Sequence, residues 1–151
     1  MKLSPHFSTA ELEHSQTAAR LGIDNRIPPN LEMLNNVHRL AATLELVRDA
    51  CGGAPVHISS GYRSPALNAA IPGSAKASAH MDGRAADFTV PSYGPPRTVI
   101  VTIIEAGIEF DQLIHEFDSW VHLAVAPRGA LPRRMLLTVD RHGTTPGIEG
   151  V

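Results

Sequence analysis

The chain has 151 residues, 43% of them apolar and 19% charged, with a net charge of −2. That length and balance suit one globular domain, residues 1–151, with a real core, and exclude a disordered chain. The small net charge excludes a global basic field for nucleic acid or an anionic surface, and no run approaches the ~20 apolar residues of a membrane span.

Cys51 is the single cysteine, so no internal disulfide is possible and a thiolate metal site is a poor reading. Beside Gly52-Gly53 it reads as a small buried residue at a helix end. Eight histidines is a high count, and His6, His14 and His38 have no motif around them and read as surface residues. The start, Met1 to His6, lacks the apolar segment of a secretion signal, so synthesis in the cytoplasm is expected.

Ser8-Thr9-Ala10-Glu11 has the form of a capping box and predicts a short helix after Ser8. Gln16 to Arg26 is polar and reads as a loop. Pro28-Pro29-Asn30 opens a long helix whose Leu31, Leu34, Val37, Ala41, Leu44 and Val47 form one apolar face, ended by Gly52-Gly53. Asn35, Arg39 and Arg48 fall on its exposed face. Val56 to Ser60 predicts a strand, and Ser64-Pro65 a short helix with proline at its first position. Ile71 to Ala77 is a loop, and Ala85 to Val90 a strand.

Arg97 to Ala106 carries β-branched residues that favour a strand, but its length, its proline start and Gly107 favour a helix. Phe110–Phe117 and Trp120–Val125 read as a hairpin around Asp118-Ser119. A last strand is expected over Arg134–Val139, and the tail 142–151 is expected to fray.

The chemistry concentrates between Val56 and Val90. Ser60-Gly61-Tyr62-Arg63-Ser64 sets an arginine on a turn after a β-rich run. His80 and Asp87 then stand seven residues apart around Gly83. Imidazole nitrogen and carboxylate oxygen are ordinary zinc ligands, and a catalytic zinc needs a third protein ligand and an open position for water. His122, in the apolar run Trp120 to Val125, is the candidate third ligand. A His-x6-Asp pair is weak evidence by itself, and His122 alone reads more readily as a hydrogen-bonded core histidine than as a ligand.

Taken together, these motifs resemble the zinc D-Ala-D-Ala carboxypeptidase family of peptidoglycan peptidases, which includes phage endolysins. The signature Ser-x-His-x-x-Gly-x-Ala-x-Asp, then Trp-x-His, is present as Ser78, His80, Gly83, Ala85, Asp87, Trp120 and His122. Ser60 to Ser64 and the following Pro65-x-Leu67-Asn68 also match, and the resemblance runs from about Phe7 to Val125.

The resemblance implies an α+β fold shared with the Hedgehog domain: a central antiparallel sheet, helices packed on one side and a zinc cleft on the other. It implies zinc held by His80, Asp87 and His122, and a peptidoglycan stem peptide as substrate. The enzyme would then be a D-Ala-D-Ala carboxypeptidase or an L-Ala-D-Glu or cross-bridge endopeptidase. With no export signal or second module, a phage or prophage endolysin, monomeric and acting on the cell wall after release, is the expected setting. A non-catalytic zinc-containing domain that binds the wall or a partner is the alternative.

Such a hydrolase needs a carboxylate to take a proton from water and pass it to the leaving amine. Glu116 is the choice, six residues before His122, as in the Hedgehog relative. Other members put the acid three before that histidine, where this chain has Ser119, so Asp118 is the rival. A two-residue turn would put Glu116 and His122 on opposite faces, and His115 opposite His122, so the choice requires a longer loop or a bulge. Arg63 is expected to anchor the peptide terminus or stabilise the oxyanion, against the plainer role of tying down a loop. Ser78 is expected to bond substrate backbone or orient the His80 loop, against a capping role alone. Asp82 and Arg84 read as solvated.

Overall fold

The computed structural model describes residues 1–151. Helices α1 (Thr9–Glu13), α2 (Gln16–Leu21) and α3 (Leu31–Ala50) precede the first strand. Strand β1 (His57–Ser60), helix α4 (Pro65–Ala70), a 3-10 turn (Ala79–Asp82) and strand β2 (Ala85–Thr89) carry the motif stretch. Helix α5 (Pro96–Glu105) then leads to β3 (Gln112–Glu116), β4 (Trp120–Ala124), β5 (Met135–Asp140) and β6 (Gly143–Pro146).

Short polar side chains start the early helices. Ser8 accepts from the Glu11 amide, Asn30 from Met33 and Ser64 from Leu67. The same device overturns the loop expected from Gln16 to Arg26. Ser15 accepts from the Ala18 amide, Gly22 closes α2 at a φ of 67°, and Ala18 is buried beneath it. Caps at both ends compensate for a polar stretch with no clear apolar stripe. On α3 the expected face is buried from Val37 onward, but Leu31 is 88% exposed. The buried stripe begins only at Asn36 and Val37, a turn inside the helix.

The sheet runs β1-β2-β4-β3-β5-β6. Its pairings are antiparallel except β3 with β5, which is parallel, so the wholly antiparallel sheet expected above is corrected to a mixed one. The segment between β4 and β5 passes the start of β3 and lays β5 on its far side. There, a strand antiparallel to β4 must run parallel to β3. The tail does not fray either: β6 pairs with β5, the Gly147 amide donates to the Leu136 carbonyl, and Ile148 is buried in the core.

Alternation assigns the two faces. Ala86, Phe88, Leu113, Val121 and Leu123 point into one core with Val37, Leu40, Leu44, Val99, Ile100 and Ile103 of α3 and α5. Asp87, His122, Ile114 and Glu116 alternate with these residues and therefore face the opposite side of the sheet. No helix is long and apolar enough to cross a membrane.

Candidate metal centre

Neighbouring strands bring the first two groups together. Asp87 on β2 pairs in register with His122 on β4, and Ser60 on β1 stands against Asp87 from the other side. His80 reaches them from the 3-10 turn. Ser78 opens that turn by accepting from the His80 amide at 3.2 Å, and Gly83 ends it at a φ of 68°. Ser78 thus performs the capping role at the His80 loop.

His80, Asp87 and His122 are 3%, 6% and 7% exposed, and one ligand atom from each lies within 4.8 Å of the others. Asp87 Oδ1 stands 2.9 Å from His122 Nδ1 and 3.3 Å from His80 Nε2. A tetrahedral zinc with bonds of roughly 2.0–2.2 Å separates its ligands by about 3.4 Å, so the donor set fits the ion closely.

The orientation of His80 supports that fit. Its Nδ1 donates to the Gly61 carbonyl at 2.7 Å, which leaves the lone pair of Nε2 aimed at the cluster. Burial pushes the His80 imidazole below its ordinary pKa, which keeps it neutral and able to coordinate. Burial also pushes the Asp87 carboxyl up, but the hydrogen bond from His122 and the closeness of both imidazoles outweigh it and hold the group below the usual carboxylate range. The second oxygen of Asp87, Oδ2, lies 3.6 Å from the Arg63 guanidinium.

The β3–β4 register decides where the carboxylates stand. Glu116 pairs with Trp120 and Ile114 with His122, so the loop is Phe117-Asp118-Ser119. Phe117 and Asp118 both adopt left-handed backbone, at φ of 52° and 49°. This three-residue loop meets the condition set above, putting Glu116 and His122 on one face with Glu116 Oε1 3.9 Å from His122 Nδ1. Burial and the nearby charge of Asp87 push the Glu116 carboxyl above its ordinary pKa. Asp118 is 82% exposed and bonds His115 Nε2 at 2.9 Å, away from the cluster. His115 is not opposite His122; it faces the other side of the sheet.

Several supports lay outside the sequence reading. Asn25, within the supposed loop, is buried and donates to the carbonyls of Tyr62 and Glu13 while accepting from the Ser64 amide. It therefore clamps the turn that carries Arg63. Asn36 and Arg39 of α3 are structural rather than free surface. Asn36 donates to the Asp82 carbonyl, and Arg39 to Asn35, Asn36 and the Ala126 carbonyl. Arg84 is not solvated, since it donates to the Val125 carbonyl and to Asp82. Asn25 carried no local signal, because its partners Glu13, Tyr62 and Ser64 are distant in sequence.

A comparison with curated proteins gives no match. The family model described as Peptidase M15 matches residues 5–124, a span that holds His80, Asp87, Glu116 and His122. With that match over most of its length, the chain belongs to the peptidase M15 family and is a zinc metallopeptidase.

Proposed function

We propose that this protein is a single-domain peptidase, of the Hedgehog/DD-peptidase type of fold, that hydrolyses peptidoglycan stem peptides. The convergence of His80, Asp87 and His122 inside the family-matched span is the observation that carries the reading. These three residues would hold the zinc. Zinc, when bound, supplies a Lewis acid for the scissile carbonyl and lowers the pKa of water in its open position toward ~7.

The chain supplies the rest. Glu116, on the same face as His122, takes the proton of the attacking water and delivers it to the leaving amine. Its raised pKa suits a group that must both accept and return a proton. Arg63 lies against Asp87 and orients the substrate or bonds the developing oxyanion with its remaining donors. Ser78 holds the turn that aims His80, and bonding of substrate backbone is the further role assigned to it in this reading. Cell-wall lysis by a phage or prophage enzyme is the corresponding setting.

Purified peptidoglycan incubated with the zinc-loaded protein should release new peptide ends, and a chelator should stop the release. Zinc bound at the three residues with no new ends formed would refute the proposed substrate.

A further inference from the structure

Two side chains at the loop end of the β3–β4 hairpin each lack half of a hydrogen bond. Trp120 is the one tryptophan of the chain, and its Nε1 is buried with no acceptor in bonding geometry. An indole N–H can only donate, and a buried donor without an acceptor is destabilising. Glu116 has the complementary need. Its side chain is 19% exposed, and Oε1 stands 3.9 Å from His122 Nδ1, too far for a hydrogen bond.

Strand register sets these two groups against each other. Glu116 and Trp120 are the last pair before the loop, directly opposite on β3 and β4. Side chains of such a pair share a face, with Cβ atoms ~5 Å apart. Trp120 also stands two residues before His122, so it lies on the face that carries His122 and Asp87. The ring of Phe117 packs on the indole, with centroids 5.5 Å apart and planes at 41°. A donor held by packing thus faces a carboxylate on a flexible stem. Burial raises the Glu116 pKa most, and the indole N–H is among the groups that oppose it.

A general base uses one oxygen at a time. The glutamate stem has several rotatable bonds, so the oxygen that meets water is well placed only when the other is held. We infer that Trp120 is the positioning residue for Glu116: its Nε1–H bonds one carboxylate oxygen and leaves the other turned to the attacking water. The inference rests on the peptidase reading given above, with Glu116 as the base.

The test uses the zinc-loaded full chain with two substrates, a stem pentapeptide ending in D-Ala-D-Ala and its cross-linked dimer. Trp120→Phe keeps an aromatic ring against Phe117 and removes the donor. On whichever substrate the parent protein cleaves, it should lower kcat roughly 10–100-fold, the worth of a hydrogen bond to a charged group, with KM within about twofold. Zinc content and thermal midpoint should match the parent. In a Glu116→Ala background the same change should move the residual kcat by less than about twofold, since nothing is left to position. The single indole N–H resonance should shift in Glu116→Ala and hold in Asp118→Asn.

An unchanged kcat in Trp120→Phe, or an equal loss with and without Glu116, would overturn the inference and leave the peptidase reading standing. An indole resonance unmoved by Glu116→Ala would do the same. A thermal midpoint that falls in step with kcat would make Trp120 a packing residue only. No cleavage of either substrate by the parent would overturn both.

Discussion

His80 Nδ1 lies 2.7 Å from the carbonyl oxygen of Gly61, and this bond selects the ring nitrogen that faces Asp87. The carbonyl is itself held by close packing. A Cβ at Gly61 would meet the backbone of Leu12, at 2.7 Å from its oxygen and 2.8 Å from its Cα. Gly61→Ala must therefore push β1 away from α1 and shift the support beneath His80. Overpacking of this kind costs about 1–3 kcal/mol. Loss of a bond that orients a ligand histidine costs roughly 10–100-fold in metal affinity. Urea unfolding and zinc titration of the same variant measure both effects, and an unaltered zinc affinity would show that the Gly61 carbonyl does not orient His80.

Glu116 and Asp118 are two residues apart, yet the left-handed loop between the strands sends them to different surroundings. Glu116→Gln should lower kcat by roughly 10²–10⁴-fold, the usual worth of a general base, while zinc content holds. Asp118→Asn should leave kcat within about twofold, since an exposed partner of His115 contributes little. Steady-state kinetics with metal analysis on both variants decides between the two acids, and the reverse pattern would make Asp118 the base.

Zinc that binds the folded chain and not the unfolded one stabilises it by mass action, by about 4 kcal/mol at a free concentration a thousandfold above Kd. The thermal midpoint should rise with added zinc and fall with a chelator. Asp87→Asn removes the carboxylate shared by both histidines and should abolish most of that response. A full zinc-dependent rise in Asp87→Asn would place the metal elsewhere.

Asp111 and Arg133 make a pair whose contribution depends on pH. Asp111 is 3% exposed and accepts from the Arg133 side chain and amide, and the side-chain bond above all holds its carboxyl below the usual range. A carboxyl lowered on folding stabilises above the pKa of the unfolded chain, ~3.9, and that stability is lost as pH falls through the lower folded value. Asp111→Asn should therefore cost about 1–3 kcal/mol at pH 7, the worth of bonds to a charged group. The cost should shrink below pH 4 until the two proteins converge. Urea midpoints from pH 7 to pH 2 follow the difference, and a cost independent of pH would show that the charge of Asp111 is not what the bond needs.

Local order along the chain was readable where a short-range cause sets it. Ser8, Asn30 and Ser64 start helices because a side-chain oxygen meets an amide three residues on, whereas the β-branched residues of α5 left its local pattern divided between strand and helix. Cys51 is buried at the end of α3, as its small size and neighbours suggested. The misread stretches have long-range causes. The tail looked free because Gly, Pro and Thr carry no apolar pattern, yet β5 offers it an edge and the core takes Ile148. The parallel β3–β5 pairing depends on which side of β3 the chain returns to, and neither strand's residues encode that side.

The sequence by itself determined the family and the candidate ligand set, because the types and spacing of His80, Asp87 and His122 are chemical requirements written along the chain. Only the tertiary structure decided which carboxylate shares the face of that His-Asp-His cluster. That choice rests on two left-handed residues in a three-residue loop, and adding or removing one residue there would turn every side chain of β3 to the opposite face relative to β4. It also decided what holds His80 in place, since the Gly61 carbonyl and the Leu12 backbone behind it meet only when α1, β1 and the 3-10 turn pack together.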